Sequence, residues 1–269
     1  MTSHDHQHGH EGAGVVRDAA YWNERYRSAP ALWSGEPNPQ LVDEVSGLRP
    51  GRALDVGCGE GADAVWLARR GWQVTGVDIS TVAVERAAVN AGAAGADIGG
   101  RIGWQQGDLI TWAPDPGRYD LAVMHFVHLP PGQREAAFRH LAAAVAPGGT
   151  LLIVAHHPSD LEIEGLRTAG PGFPAPGPEL FYTGDEIAAA IGADGPAGPD
   201  GLGWRIVANE ARARQTAHPE DGRTVTVHDT IFRAVRSAPA GEPRPAPRLS
   251  ADSWSHAVTD AQNPARKPG

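Results

Sequence analysis

The sequence predicts an α/β fold, a three-layer arrangement around a mostly parallel seven-stranded sheet that ends in an antiparallel strand pair. Three observations carry that expectation. Short apolar runs and amphipathic helical patterns alternate from residue 52 to residue 155, and strands alternating with helices build a parallel sheet covered on both faces. Two strand-like runs, 203–210 and 224–235, are separated only by a polar loop, which predicts an antiparallel pair closing the sheet. Gly57, Gly59 and Gly61 fall where the first strand of the alternation turns into a helix.

The elements follow in order. Residues 1–14 are polar and carry His4, His6, His8 and His10 at alternate positions. They read as a disordered tail rather than a metal-chelating arm, because flexible histidine tracts bind metals without fixed geometry; no metal is expected. The folded domain is expected over 15–236, beginning with a helical cover, 15–48, that has helix patterns at 18–26 and 39–46. Trp22, Tyr26 and Trp33 make the cover aromatic, which suits closing a core edge or lying over a flat or cationic ligand.

The strand 52–56 leads through the glycine turn into a helix at 62–70. With no side chains at the three glycines, a ligand can lie against the backbone and face the unpaired N–H groups of the helix start. Next come a strand at 73–79, a helix at 81–90 capped by Ser80 or Thr81, and a strand at 101–106 ending in Gly107-Asp108. A fourth strand at 119–126 and a helix at 133–145 precede the turn Pro147-Gly148-Gly149 and a fifth strand at 150–155. Open parallel sheets bind ligands beyond the C-terminal ends of their strands, so the active edge is located before any motif is named. The Gly/Pro-rich segment 158–183 follows the fifth strand and is expected to form a loop over that edge, with Phe173 and Tyr182 reaching substrate alongside Trp22 and Tyr26. A short helix at 185–191 comes before the closing pair, and residues 237–269, rich in Pro and Ala, read as a disordered tail.

Charge and cysteine content exclude some partners. With 23 basic against 32 acidic residues the net charge is −9, and no basic cluster interrupts it, which disfavours a nucleic-acid substrate. The single cysteine, Cys58, excludes an internal disulfide and fits a reducing compartment. No apolar run has membrane-spanning length, so a soluble cytoplasmic monomer or homodimer is expected.

Three carboxylates come at successive strand ends: Asp55 inside the first strand, Asp78 closing the second, and Asp108 just past the third. An acid ending the second strand of a nucleotide-binding sheet can accept from both ribose hydroxyls. Asp120, at the start of the fourth strand, reads as structural. Gly57-x-Gly59-x-x-Ala62 with Asp78 satisfies the dinucleotide fingerprint, which keeps an NAD(P)-dependent oxidoreductase as the alternative. Against it stand Asp55, the tighter Gly-x-Gly-x-Gly spacing, Gly107-Asp108 and the closing antiparallel pair.

Leu54-Asp-Val-Gly-Cys-Gly-Glu-Gly61, Val77-Asp-Ile-Ser80, Gly107-Asp108 and Leu141-x5-Pro-Gly-Gly-Thr-Leu resemble the successive motifs of the class I, Rossmann-like S-adenosylmethionine-dependent methyltransferases, over roughly residues 20–235. The resemblance implies that Asp55, Gly57 and Gly59 contact the methionine part of S-adenosylmethionine, Asp78 the ribose hydroxyls, and Asp108 with Leu109 the adenine. Cys58, Gly61, Ile79 and Trp33 complete the implied donor contacts. Tyr21-Trp-x3-Tyr26 and Trp33-Ser-Gly35 look like the N-terminal cover of the branch holding tellurite-resistance, thiopurine and halide or thiol methyltransferases. The implied activity is methyl transfer to a small-molecule nucleophile through O, N or S/chalcogen. A protein of this fold that binds the donor but performs another reaction is the remaining alternative.

Histidines supply candidate bases. His125 and His128 follow the fourth strand, and His156 and His157 the fifth. Imidazole titrates near neutrality and can take a proton from a hydroxyl, thiol or ring nitrogen. A single strand-end histidine is by default an ordinary polar residue; four at two neighbouring ends favour one facing substrate, with His125 and His156 preferred.

Overall fold

The computed structural model describes residues 17–163, 177–193, 195, 202–218 and 221–238. The expectations for the His-rich segment 1–14, for Phe173 and the middle of the 158–183 segment, and for the chain after 238 lie outside the described residues.

Seven strands form one sheet in the order β3-β2-β1-β4-β5-β7-β6. β1 (Arg52–Val56), β2 (Gln73–Asp78), β3 (Ile102–Gln106), β4 (Tyr119–His125) and β5 (Val145–His156) pair in parallel. β7 (Thr224–Arg236) runs antiparallel to both β5 and β6 (Trp204–Ala217). Strand order therefore reverses between β1 and β4, and a crevice opens there at the strands' C-terminal ends.

Local chemistry explains the elements that frame this crevice. β1 buries Ala53, Leu54, Asp55 and Val56 in succession, the pattern of a strand covered on both faces. α3 (Ala62–Arg69) turns Ala64, Val65, Leu67 and Ala68 inward, a single helical stripe. α4 (Thr81–Ala93) is capped by Ser80, whose Oγ accepts from the Ala83 N–H at 3.1 Å, and it buries Ala83, Ala87 and Ala91 at four-residue spacing. α1 (Ala19–Arg27) and α2 (Pro39–Val45) form the cover, with Asp18 and Asn38 as N-caps. α6 (Gln133–Ala144) and α7 (Gly184–Ile191) lie on the sheet with a core that includes Phe138, Leu141, Ile153, Tyr182 and Phe232. A second core gathers Leu41, Leu67, Trp72, Leu121, Val123, Leu152 and Ile231. Burial of each such side chain contributes about 1.5–3 kcal/mol.

Two expectations change. Pro147-Gly148-Gly149 is no turn ahead of the fifth strand: β5 already starts at Val145, opposite Tyr119, and a register shift between Tyr119 and Leu121 absorbs the extra residues. A one-turn helix, α5 (Ala96–Gly99), too short for sequence periodicity to reveal, precedes β3. Among the described residues no helix is long and apolar enough to cross a membrane.

Candidate active site

The glycine turn gains its shape from backbone bonds that side chains would obstruct. Gly57 and Cys58 both donate their N–H to the Val77 carbonyl, at 2.8 and 3.1 Å, folding the turn onto the end of β2. Gly57 has φ +72°, and a Cβ there would lie 2.3 Å from Val127 Cγ2. Gly59, at φ +53°, sits against the cover, where a Cβ would meet Tyr26 Oη at 3.1 Å and Trp33 Nε1 at 3.3 Å. Only glycine holds such a backbone so close to its neighbours without strain.

Beside this turn the Asp78 carboxylate is buried and doubly bonded. Oδ2 accepts from the Gly59 N–H and Oδ1 from the Ser80 N–H, each at 2.9 Å. Burial pushes its pKa up, against the lowering effect of those backbone donors. Asp55, 2% exposed, lies beneath the turn with Oδ2 unpartnered. Its carboxyl is held well above the usual range, first by burial and then by the charges of Asp63 and Asp78. Asp108 turns back on its own loop, with Oδ1 accepting from the Ile110 N–H at 2.9 Å.

The cover is fastened to this acidic edge by residues that sequence reasoning missed. Glu60 Oε2 accepts the N–H groups of Leu32 and Trp33, at 3.0 and 3.2 Å, while Oε1 pairs with Arg86 at 2.9 Å. Asp63 Oδ1 accepts from the Asn38 N–H, and its Oδ2 lies 2.7 Å from His125 Nδ1. Trp33 Nε1 donates to Tyr26 Oη at 3.1 Å. Asn23 on α1 accepts from the Ser80 hydroxyl at 2.7 Å.

Turn, cover and strand ends enclose a cavity of about 580 Å3. That is ample for a nucleoside with a small second ligand. Trp22, Tyr26, Trp33, Gly57, Cys58, Gly59, Asp78, Ile79, Asp108, Leu109, His125, His128 and His156 all line it, together with Asp63, Phe126, Arg214 and Asp229. Four expected residues lie elsewhere. Asp55 sits behind the turn, and Gly61 is the N-cap of α3. His157 caps the 3-10 turn that follows β5, its Nδ1 accepting from the Ser159 N–H at 3.2 Å. Tyr182 is packed in the core against Phe138, two residues ahead of α7.

The wall opposite the aspartates is aromatic and imidazole-rich. His156 stacks on His128 at 5.5 Å and touches Phe126 and Phe181 at 4.7 and 5.6 Å. Burial, helped by His156 and Arg17, pushes His128 down to about 3, and burial lowers His156 as well. Both rings are therefore neutral at pH 7. Phe126 has φ +52°, the single positive-φ non-glycine among the described residues, and such strain concentrates at functional positions. Because β7 runs antiparallel, its first half reaches this same edge and sets Asp229 opposite His156. Asp229, buried, takes Arg214 Nε at 3.0 and 2.9 Å and Gln40 Nε2 at 3.1 Å. No local pattern betrays this cluster, since it joins residues of α2, β5, β6 and β7; Asp63, by contrast, stands two residues past Gly61 in the first turn of α3.

The residues fit a cationic nucleoside. Three neighbouring carboxylates, one with an oxygen unpartnered, sit around a turn open to ligand, and each Asp78 oxygen retains lone-pair capacity for a ribose hydroxyl.

Comparisons with known proteins agree. Residues 53–149 match the family described as Methyltransferase domain. The 2-heptyl-1-hydroxyquinolin-4(1H)-one methyltransferase of Mycobacteroides abscessus is 29% identical over 189 residues, covering 65% of this chain and 78% of that protein. Ribosomal RNA small subunit methyltransferase C of Alcanivorax borkumensis is 39% identical over 113 residues, 40% of this chain, and the match spans only 33% of its length. Among solved structures, magnesium protoporphyrin IX methyltransferase from Synechocystis PCC 6803 with bound SAH aligns at 26% identity and TM-score 0.55, covering 81% of this chain and 98% of that one. The nicotinamide alternative finds no support in these matches.

Proposed function

The chain carries a class I, Rossmann-like S-adenosylmethionine-dependent methyltransferase domain, and from that premise we propose that it transfers a methyl group to a small-molecule nucleophile held in the cavity. The observation that carries this reading is the Asp78 carboxylate bonded to Gly59 N–H at the mouth of a 580 Å3 cavity whose far wall is built of histidines. When bound, S-adenosylmethionine supplies a sulfonium-borne methyl carbon, electrophilic enough for direct displacement. Asp78 would hold the ribose hydroxyls, Asp108 and Leu109 the adenine end, and the backbone of Gly57 and Gly59 the amino-acid end. Asp55 and Asp63 would favour the positive charge from behind and beside the turn.

The remaining residues act on the acceptor. Trp22, Tyr26 and Phe126 give the cavity an apolar wall that would limit water around a nucleophile held in oriented contact. Tyr26 stays protonated, because burial and the nearby Asp78 charge push its pKa up, so it donates rather than attacks. His125 and His156, which line the cavity, would take the proton from an acceptor that must lose one. Net charge of −9 supports a small molecule over a nucleic acid.

Calorimetry with S-adenosylhomocysteine and with NAD tests the donor, and binding of NAD alone would overturn the reading. Incubation with isotopically methyl-labelled donor and a metabolite extract, supplemented with 2-heptyl-1-hydroxyquinolin-4(1H)-one, tests the transfer. Label appearing in a small molecule by mass spectrometry is the expected result; donor binding without label in any compound would leave the fold and remove the activity.

A further inference from the structure

Among the four strand-end histidines, one differs from the rest in being held by a carboxylate at one nitrogen while the other is left bare. His125 Nδ1 lies 2.7 Å from Asp63 Oδ2, its side chain is 6% exposed, and its Nε2 has no hydrogen-bond partner. Both residues line the cavity. His156 meets aromatic rings, and His157 is spent on its own turn.

We infer that Asp63 is a positioning residue: it fixes His125 as the proton acceptor and thereby commits the site to acceptors whose nucleophilic atom carries a proton. The inference deepens the methyl-transfer reading and rests on it. An ionised carboxylate only accepts, so the contact to Asp63 favours the tautomer with the proton on Nδ1, which leaves Nε2 a buried acceptor without a partner on a ring that lines the cavity. On transfer the acceptor's proton would move to Nε2 and its freed electron pair would form the bond to the methyl carbon as the carbon–sulfur bond breaks with its pair passing to sulfur, leaving a neutral thioether, while the imidazolium so formed would be compensated at Nδ1 by Asp63. This is the arrangement by which an aspartate orients a catalytic imidazole in unrelated enzymes. Asp63 has a plainer use, as an acid in the first turn of α3, which suits the helix dipole. That use requires neither the His125 contact nor the Asn38 N–H that Asp63 Oδ1 also accepts at 2.7 Å. Through that second bond the cover loop and the base share one carboxylate.

The test is long-range 15N–1H NMR of the full-length, histidine-labelled protein without donor, with the His125 signals assigned by His125→Gln. Wild type should show Nδ1 protonated and Nε2 bare. Asp63→Asn, whose amide can donate, should invert the tautomer. Proton on Nε2 in the wild type, or an Asp63→Asn tautomer identical to wild type, would overturn the inference. Should Asp63→Asn fail to fold, the wild-type spectrum alone decides. With the acceptor from the transfer experiment, Asp63→Asn should lower kcat about 10²–10³-fold, and the Asp63→Asn/His125→Gln double variant should be no slower than His125→Gln. Losses that multiply would equally sink it. S-adenosylhomocysteine affinity is read separately, so a failed donor reading and a failed positioning role give different results.

Discussion

Asp78 Oδ2 and the backbone N–H of Gly59 meet at 2.9 Å, joining the end of β2 to the middle of the turn that follows β1. The contact fixes a buried carboxylate where a ribose would lie. Asp78→Asn replaces one charged acceptor by an amide whose NH2 faces backbone donors. Charge-assisted hydrogen bonds contribute about 1.5–3 kcal/mol, so S-adenosylhomocysteine binding should weaken at least tenfold by calorimetry. Unchanged affinity would remove the ribose role.

Asp55 predicts a pH effect. Burial and the charges of Asp63 and Asp78 raise its folded pKa above the unfolded value. The folded protein therefore retains a proton that the unfolded chain releases, and stability from this group falls as pH rises through that window. Asp55→Asn removes the dependence. Its melting temperature relative to wild type should climb as pH rises above about 4 in the absence of donor. A constant difference across that range would show that Asp55 is ionised in the unliganded fold.

Gly59→Ala tests how tightly the cover sits. Alanine at φ +53° costs roughly 1–2 kcal/mol, and its methyl presses on Tyr26 Oη and Trp33 Nε1. Denaturant midpoints should fall accordingly, and donor affinity should fall with them because the cover must shift. Loss of stability with intact donor affinity would mean that the cover does not help hold the nucleoside.

His125→Ala and His156→Ala separate the two base candidates. General-base loss lowers turnover about 10²–10⁴-fold, which is expected for His125, with donor affinity within a few-fold. His156→Ala should act mainly on KM, since its ring packs against Phe126, His128 and Phe181. Turnover unaffected by either substitution would eliminate the base altogether.

The residues around the glycine turn were legible as a cluster because their determinants are local. Burial on both faces marks β1, glycines mark the turn, and Asp78 and Asp108 are placed by ending strands. The acceptor side joins residues distant in the chain: Asp63 and His125 are 62 positions apart, Gln40 and Asp229 are 189 apart. Such pairs arise from strand order and hairpin register, which no local pattern encodes. Tyr182 was misjudged for the related reason that a strand-end segment can dive into the core, where its ring packs on Phe138.

Arg212 binds Gln40 and Glu44 of α2, and Arg233 binds Glu44, so β6 and β7 are riveted to the N-terminal cover. Both extremities of the folded chain thus meet at the cover, which Glu60, Asp63 and Ser80 hold from the other side. A change at one extremity is therefore felt at the other, and through the cover at the glycine turn as well. Moving the cover from a relative without the final hairpin would break the bonds of Arg212 and Arg233 to α2, whereas moving both together would keep them and leave only the bonds to Glu60, Asp63 and Ser80 to be matched.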